Sequence, residues 1–271
     1  MSAVLTGTPV EITWGSGTDP SPQDITVPAD CTAVYMFWSY YFGSTGDGLA
    51  SVTLEGVSPD ETHEITTVSS LYSATGVAVW YNPTTGANQT VDVSWDGSPG
   101  EGPITVIVFV KDGDTTGWRD VDSEQGAGTD PVSVTLTTVS GDLVLKLDQK
   151  YESGTTPPSL SSGWTNGLTG DNNFEHFRFS YIEAGGSSQV CDSEDDYYST
   201  VVAVAIPAAS GSTINTKTTT DAAAVTDAAQ MLRQRIRESA ESLAVSDSIV
   251  VTYMPSTYIQ YVQRTTKIMR S

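Results

Sequence analysis

Cysteine and histidine are scarce in this sequence, which limits the kinds of site it can build. Its 271 residues include two cysteines, Cys31 and Cys191, and two histidines, His63 and His176. Structural zinc sites and C-x-x-C redox motifs need such residues at close spacing, and neither pattern is present. The two cysteines are compatible with separate free thiols or with one disulfide between an early and a late strand, because spacing alone does not establish proximity.

Long apolar runs and the pattern of a secretory signal are also missing. No stretch reaches the roughly 18 apolar residues that a membrane-spanning helix requires. Residues 1–7 lack a basic region followed by an apolar one, so we expect no signal peptide. The expectation is a protein made in the cytoplasm of its host cell, without a membrane partner.

Basic residues are few and unevenly placed. The net charge is −21; residues 1–209 hold 5 Lys/Arg against 28 Asp/Glu, giving −23, whereas residues 210–271 hold 7 against 5, giving +2. Phosphate contacts need a basic face, so nucleic acid is not expected as a partner. Strong acidity keeps repeated copies soluble and mutually repulsive. The basic C-terminal part is compatible with docking to an acidic neighbour or with an ordinary domain of mixed charge.

Catalytic motifs are weak. No G-x-S-x-G nucleophile elbow occurs, although a triad using His63 or His176 is not excluded by sequence. The many carboxylates fall mostly in turn-rich segments, as solubilising charges do. We therefore predict that the protein is not an enzyme.

Short runs of β-forming residues, separated by turn residues, dominate residues 1–209. Residues 77–81 and 91–95 alternate in polarity around a loop with Asn82, Pro83 and Gly86, which predicts a hairpin, and the apolar run 104–110 follows. Residues 32–42 are apolar on both faces, which is typical of a strand covered on both sides. Roughly ten to twelve such strands predict a mainly β domain, an antiparallel two-layer β-sandwich of jelly-roll type.

Residues 210–271 follow a different pattern, which predicts a small α+β unit. Thr220 or Asp221 can cap a helix of roughly 24 residues, and strands are expected at 248–254 and 257–262 as a β-hairpin. We expect this helix-plus-hairpin unit to anchor or oligomerise the protein. Its apolar seam either packs on the following strands or contacts another chain. The seam comprises Val225, Ala229, Leu232, Ile236 and Leu243.

Several short motifs in residues 25–208 resemble those of a known β-sandwich family. The motifs are S-V-T-L-E-G-V at 51–57, W-Y at 80–81, P-T-T-G at 83–86, V-D-V-S-W at 91–95, G-D-T-T at 113–116, V-S-V-T at 132–135 and G-D-L-V at 141–144. The pattern resembles a jelly-roll-like family of tailed-phage virion proteins, such as decoration and tail proteins, and of bacterial surface proteins. The resemblance implies a structural or adhesive module without catalytic activity.

The resemblance favours a structural protein of a tailed-phage virion. In this interpretation the protein lies on the virion exterior, as a head decoration or a tail or neck component, and contacts other virion proteins and further copies of itself. The alternative is a carbohydrate- or receptor-binding module, of adhesin or fibre type, with a glycan as ligand.

Two groups of residues are candidates for binding. Asp112 with Asp114, and Asp120 with Asp122, provide closely spaced hard oxygen ligands for calcium, the most plausible ion, although solvated acidic loops are the simpler interpretation. Four aromatic residues are predicted in loops or at strand ends, where they can stack on sugars, anchor a protein partner or cover a core. These are Trp118, Trp164, Tyr197 and Tyr198.

Overall fold

All the regular secondary structure described in the computed structural model is β-strand. The structure describes residues 2–15, 17–41, 48–66, 73–97, 103–126, 131–151, 156–172, 175–193, 199–209, 248–252 and 261–265. The chain divides into two compact units, residues 1–212 and 213–271. Within the described ranges, no helix is long and apolar enough to cross a membrane.

The first nine strands form two antiparallel sheets. They are β1 (Val4–Leu5), β2 (Val10–Thr13), β3 (Gln23–Thr26), β4 (Ala33–Tyr41), β5 (Leu49–Leu54), β6 (Glu61–Thr66), β7 (Ser73–Tyr81), β8 (Asn88–Trp95) and β9 (Ile104–Lys111). One sheet has the order β2-β9-β4-β7-β6, with β1 also paired to β9; the other has the order β3-β8-β5. We call this pair of sheets the first sandwich.

The next seven strands repeat this plan. They are β10 (Asp120–Gln125), β11 (Ser133–Thr137), β12 (Leu143–Tyr151), β13 (Thr165–Asn172), β14 (Glu175–Glu183), β15 (Ser188–Asp192) and β16 (Ser199–Ile206). One sheet has the order β10-β16-β12-β14-β13, and the other pairs β11 with β15. Each strand of this second sandwich has a counterpart in the first, but among the described residues no strand of the second corresponds to β1 or to β5.

The register of the strands matches between the two sandwiches. In the first, Ala33 lies opposite Tyr81 on β7 and Val110 on β9. In the second, Leu143 lies opposite Glu183 on β14 and Ile206 on β16. Ala33 therefore corresponds to Leu143, and each later residue of β4 corresponds to the residue at the same place in β12. The described unit is a tandem structural repeat.

Three apolar cores separate the four sheets, which lie in four layers. The two larger sheets face each other across a core that includes Phe37 and Phe179, whose ring centroids are 5.7 Å apart. A second core fills the first sandwich, around Trp38 and Val93, and a third fills the second sandwich, around Leu136 and Val201. We call the two facing sheets the inner sheets and the others the outer sheets.

The mainly β, antiparallel class predicted from the sequence is confirmed, but the number of layers is corrected. A single two-layer sandwich was predicted for residues 1–209, whereas these residues form two sandwiches joined face to face. The reason lies in strands such as β4 and β9, whose residues are buried on both faces because the inner sheets have a core on each side.

The C-terminal unit contains one described strand pair. Strand β17 (Ser248–Thr252) pairs antiparallel with β18 (Tyr261–Thr265). The second strand therefore starts later in the chain than the predicted 257–262. The predicted helix and its apolar seam lie outside the described residues.

A candidate functional site in the second sandwich

A cluster of charged and polar side chains lies where the repeat predicts an apolar core. Register places Lys146 opposite Ser180, Asp148 opposite Arg178 and Lys150 opposite His176, all on the face of the inner sheet that is turned away from the first sandwich. Their neighbours in sequence, such as Leu145 and Leu147, face the first sandwich instead. We call these six residues of β12 and β14 the polar cluster.

The equivalent face of the first sandwich is apolar. Lys146, Asp148 and Lys150 correspond to Met36, Trp38 and Tyr40 by register, and these three belong to the first apolar core. On the adjacent strand, His176, Arg178 and Ser180 correspond to Ala74, Gly76 and Ala78. The fold itself does not require charge at these positions, because the same plan is built without charge in the first sandwich.

Size as well as polarity differs between the two faces. A methyl group at Gly76 would lie 2.4 Å from Cζ2 of the Trp38 indole, so the glycine leaves room for that ring. In the second sandwich the small Asp148 occupies the place of the tryptophan, and the long Arg178 occupies the place of the glycine. The two faces fill similar space with different chemistry.

Lys146 is the best-connected member of the polar cluster. Its ammonium donates to the carbonyl of Asp192 at 2.5 Å and to Oγ of Ser161 at 3.1 Å. It lies 2.9 Å from Oδ2 of Asp148 and 4.7 Å from the centre of the Trp164 ring. Side chains of both Lys146 and Asp148 are 0% exposed. An ammonium group has three donors; two of them bond to Asp192 and Ser161, and the Asp148 carboxylate lies beside them as an ion-pair partner.

Burial raises the pKa of the Asp148 carboxyl from 3.8 to about 7. The nearby Lys146 ammonium opposes this shift, both by its charge and by hydrogen bonding, and the charge of Arg178 opposes it more weakly. The desolvation of a fully buried carboxylate is therefore the larger effect. The Asp148 carboxyl therefore keeps its proton to a higher pH than an exposed aspartate does.

Two members of the polar cluster, and a serine outside it, carry buried polar atoms without a described hydrogen bond. They are both ring nitrogens of His176 and the hydroxyls of Ser180 and Ser193, within the part of the chain that the structure describes. Arg178 donates from Nε to the carbonyl of Pro158 at 2.5 Å and from Nη1 to Oδ1 of Asn166 at 2.7 Å. Buried polar groups without partners cost stability.

The residue types of this polar cluster are those used in catalysis, but its geometry favours a structural role. Lys146, Asp148 and His176 are all 0% exposed, so a substrate has no direct access to them in this conformation. The donors of Lys146 are used by protein acceptors. Sequence alone did not identify the cluster, because the alternation K-x-D-x-K at 146–150 is also the pattern of a strand with one solvated face.

A second polar contact joins the edges of the two inner sheets. Nε2 of His63, on β6, lies 2.9 Å from Oγ of Ser123, on β10. Burial lowers the pKa of His63, and the charge of Asp122 opposes this shift. A catalytic histidine needs a third group that orients it. No carboxylate is hydrogen bonded to His63 within the described ranges, so this pair is a bridge between the sandwiches.

The four candidate calcium ligands lie in two separate settings. Asp112 and Asp114 are in the loop between the sandwiches, and Oδ1 of Asp114 accepts from the main-chain N–H and the hydroxyl of Thr116, at 2.9 and 2.8 Å. Asp120 and Asp122 are on β10; Asp120 accepts from the N–H of Thr137 at 2.6 Å. Among the described residues no group of three or more His, Cys, Asp or Glu side chains is arranged to hold a metal ion.

The loop that carries Asp112 and Asp114 is fixed by its backbone. The N–H of Ala209 donates to the carbonyl of Asp112 at 2.7 Å, and the N–H of Asp114 donates to that of Pro207 at 2.8 Å. A positive φ of 57° at Asp112 turns the chain at this point. These bonds tie the end of the second sandwich to its beginning.

The candidate aromatic residues that the structure describes contact core residues. Trp164 is 7% exposed and belongs to the third core, while Trp118 is partly buried against the core between the inner sheets. Tyr197 and Tyr198 lie outside the described residues. The alternative that aromatic residues cover a core therefore fits Trp118 and Trp164.

The two cysteines are free and buried. Burial raises the pKa of the Cys31 thiol to about 11 and that of Cys191 to about 12. Cys31 lies in the first core and Cys191 in the third. Of the two possibilities that the sequence left open, separate thiols are the one realised.

Comparison of the chain with protein-family models, curated proteins and solved structures gave no match.

Proposed function

We propose that this protein is a non-enzymatic structural protein of a tailed-phage virion, displayed on the particle exterior as a head decoration or a tail or neck component. The observation that carries the proposal is the fusion of two sandwiches through a continuous apolar core between their inner sheets. Such a core holds two domains as one rigid body, which suits a component exposed to mechanical stress better than it suits an enzyme that must open and close.

Strand order supports a jelly roll in each half, the fold that we propose for both sandwiches. In the first sandwich, strands β2 to β5 alternate between the inner and the outer sheet. Strands β6 and β7 both lie in the inner sheet, and β8 and β9 then lie in the outer and the inner sheet. Jelly rolls occur in viral capsid proteins and in lectins. The acidic composition of residues 1–209 supports display of many soluble, mutually repelling copies.

In this proposal the unit formed by residues 213–271 attaches the sandwiches to the particle. Its support is the change in composition, from a net charge of −23 over residues 1–209 to +2 over residues 210–271. A basic segment is suited to docking on an acidic neighbour. The helix-plus-hairpin arrangement of this unit, with its apolar seam, remains part of the proposal.

The carbohydrate-binding alternative receives less support from the described residues. Trp164 is covered by the ammonium of Lys146, and Trp118 packs on a core. The buried Trp164 ring therefore lacks the open face that stacking on a sugar requires, and Trp118 is partly buried.

The experiment is incorporation of a truncated chain into phage particles. A chain that ends at residue 212 should remain folded, as judged by a cooperative thermal unfolding transition, but should be absent from purified particles. The full-length chain, supplied from the same plasmid, is the control. Incorporation of the truncated chain at the level of the control would contradict the division between displayed and attaching units.

A further inference from the structure

The second sandwich has one fewer described strand in its outer sheet than the first. In the first, β8 lies between β3 and β5; in the second, its counterpart β15 pairs with β11 alone. The edge of β15 that corresponds to the β5 side is therefore unpaired in the part of the chain that the structure describes. An unpaired strand edge is a template for another strand.

Hydrogen-bond direction identifies which residues of β15 face this edge. The N–H of Ser193 donates to Val132 and the N–H of Thr138 donates to Ser187, at the two ends of the β11–β15 ladder. Bonded pairs alternate along an antiparallel ladder, so residues 187, 189, 191 and 193 direct their main-chain groups at β11. The main-chain groups of Ser188, Val190 and Asp192 consequently point to the open edge.

The first sandwich shows what occupies this position. Val91 on β8 and Cys191 on β15 are both buried, and aligning the two strands on these residues makes Thr90 the counterpart of Val190. The N–H of Thr90 donates to Oε1 of Glu55 at 2.6 Å, and the N–H of Glu55 donates to the carbonyl of Thr90 at 2.8 Å. The carbonyl of Val190 instead accepts from the side-chain amide of the adjacent Gln189, at 3.0 Å.

The open edge is also accessible and apolar at its centre. The side chain of Val190 is 51% exposed, and Ser188 is exposed. By contrast, the carbonyl of Asp192 already accepts from Lys146 and from Ser161, at 2.5 and 3.3 Å. The polar cluster therefore closes one end of the edge and leaves Ser188 and Val190 available.

From this geometry we infer that the edge of β15 is an interaction surface whose partner is the β15 edge of a second copy of this chain. The inference rests on the tandem repeat and does not depend on the proposed role in a virion. Antiparallel pairing centred on Val190 lets the two valines exchange main-chain bonds, while the Asp192 end of each edge stays covered by Lys146 and Ser161. This twofold arrangement uses the same surface on both copies.

Charge supports a second copy in this register. Antiparallel pairing about Val190 places each Asp192 opposite a neutral Ser188, so no carboxylate faces another across the new ladder. The pairing involves few residues, and the chain carries a net charge of −21. The contact is therefore weak in dilute solution and gains population where copies are held close together.

Cysteine cross-linking of the full-length chain tests this contact at one position. In a Cys31→Ala, Cys191→Ala background, Val190→Cys should form a disulfide-linked dimer on mild oxidation, because hydrogen-bonded partners across an antiparallel ladder have Cα atoms about 5.5 Å apart. Two matched controls are Thr90→Cys, whose edge is occupied by β5, and Val139→Cys, whose parent residue is also 51% exposed. Dimer yield for Val190→Cys no higher than for both controls overturns the inference.

A second variant keeps the test valid if the cysteine background fails to fold. Val190→Pro in the natural chain removes the outward N–H without removing a bond to β11, and proline is tolerated at such edge positions. Sedimentation velocity at high protein concentration should show a loss of self-association relative to the natural chain, with an unchanged thermal midpoint. Self-association that persists in Val190→Pro, or a natural chain that does not self-associate, contradicts pairing through this edge.

Discussion

Ser39 and Gln149 occupy equivalent positions in the two sandwiches, and their side chains are hydrogen bonded to each other across the interface between the inner sheets. Oγ of Ser39 also lies 3.1 Å from Oγ1 of Thr200. A small cavity of about 10 Å³ adjoins this contact and is lined mainly by apolar side chains, among them Leu147 and Phe177. Corresponding parts of the repeat thus meet in the core between the inner sheets.

This shared core predicts that the two sandwiches unfold together. Urea denaturation followed by tryptophan fluorescence and by far-UV circular dichroism should give coincident transitions for residues 1–212. Phe37→Ala should lower the free energy of unfolding by about 3–5 kcal/mol, because it removes a buried ring from the interface. Val57→Ala, at a side chain that is 61% exposed, should change it by less than about 0.5 kcal/mol. Two separate transitions in the chain of residues 1–212 would contradict a common core.

The ion pair in the polar cluster predicts that removing one of its charges lowers the free energy of unfolding more than replacing both charges by apolar side chains. Lys146→Met leaves the Asp148 carboxylate buried without its partner and should destabilise the protein by about 3–5 kcal/mol in urea denaturation. The double variant Lys146→Met, Asp148→Leu should recover most of this loss, because it converts the site towards the apolar face of the first sandwich. As a matched control, Met36→Lys should destabilise the first sandwich. Equal stability of the single and double variants would argue against the ion pair.

The raised pKa of Asp148 predicts a specific dependence of stability on pH. A carboxyl whose pKa is higher in the folded state than in the unfolded state binds more protons when folded, so its contribution is fully present below pH 3.8 and is lost as pH rises through about 7. Asp148→Asn mimics the protonated form. The natural chain should therefore lose stability relative to this variant between pH 4 and 7.

Thermal denaturation across that pH range, with exposed Asp92→Asn as control, measures the difference between the two chains. If the melting temperature of the natural chain instead fell relative to that of Asp148→Asn as the pH decreased, the carboxyl would be ionised in the folded protein and stabilised by its neighbours.

The positions of the four candidate calcium ligands predict that they do not form a specific calcium site. The carboxylates of Asp114 and Asp120 accept main-chain N–H groups, and among the described residues no group of three His, Cys, Asp or Glu side chains is arranged to hold an ion. Excess Ca²⁺ should leave the melting temperature of the full-length chain unchanged relative to Mg²⁺ at equal ionic strength. A large rise specific to Ca²⁺, lost in Asp112→Asn, Asp114→Asn, would establish a site.

The β class and several strands could be predicted from sequence because their patterns are local. Strand β8 alternates between exposed and buried residues, and β4 is buried on both faces, as its continuous apolar run indicated. The tandem repeat is not visible in this way. Strands β4 and β12 share only two identities at equivalent positions, Val34 with Val144 and Tyr41 with Tyr151, because one sandwich uses apolar residues where the other uses charge.

The polar cluster was missed for a physical reason. Alternation of Leu143, Leu145 and Leu147 with Lys146 and Asp148 gives the period of a half-buried strand. Whether the polar face meets water or another layer depends on contacts distant in sequence, such as that of Lys146 with Ser161 and Asp192. Burial of this face therefore could not be predicted from the strand alone.

Cryo-electron microscopy of intact phage particles that carry this chain is the most direct test of the proposed virion role. We expect exterior density that fits the four-layer unit of residues 1–212 as one body, and Fab fragments against this unit should add density on the outer surface. A chain absent from purified particles, or present only beneath the particle surface, would contradict the proposal.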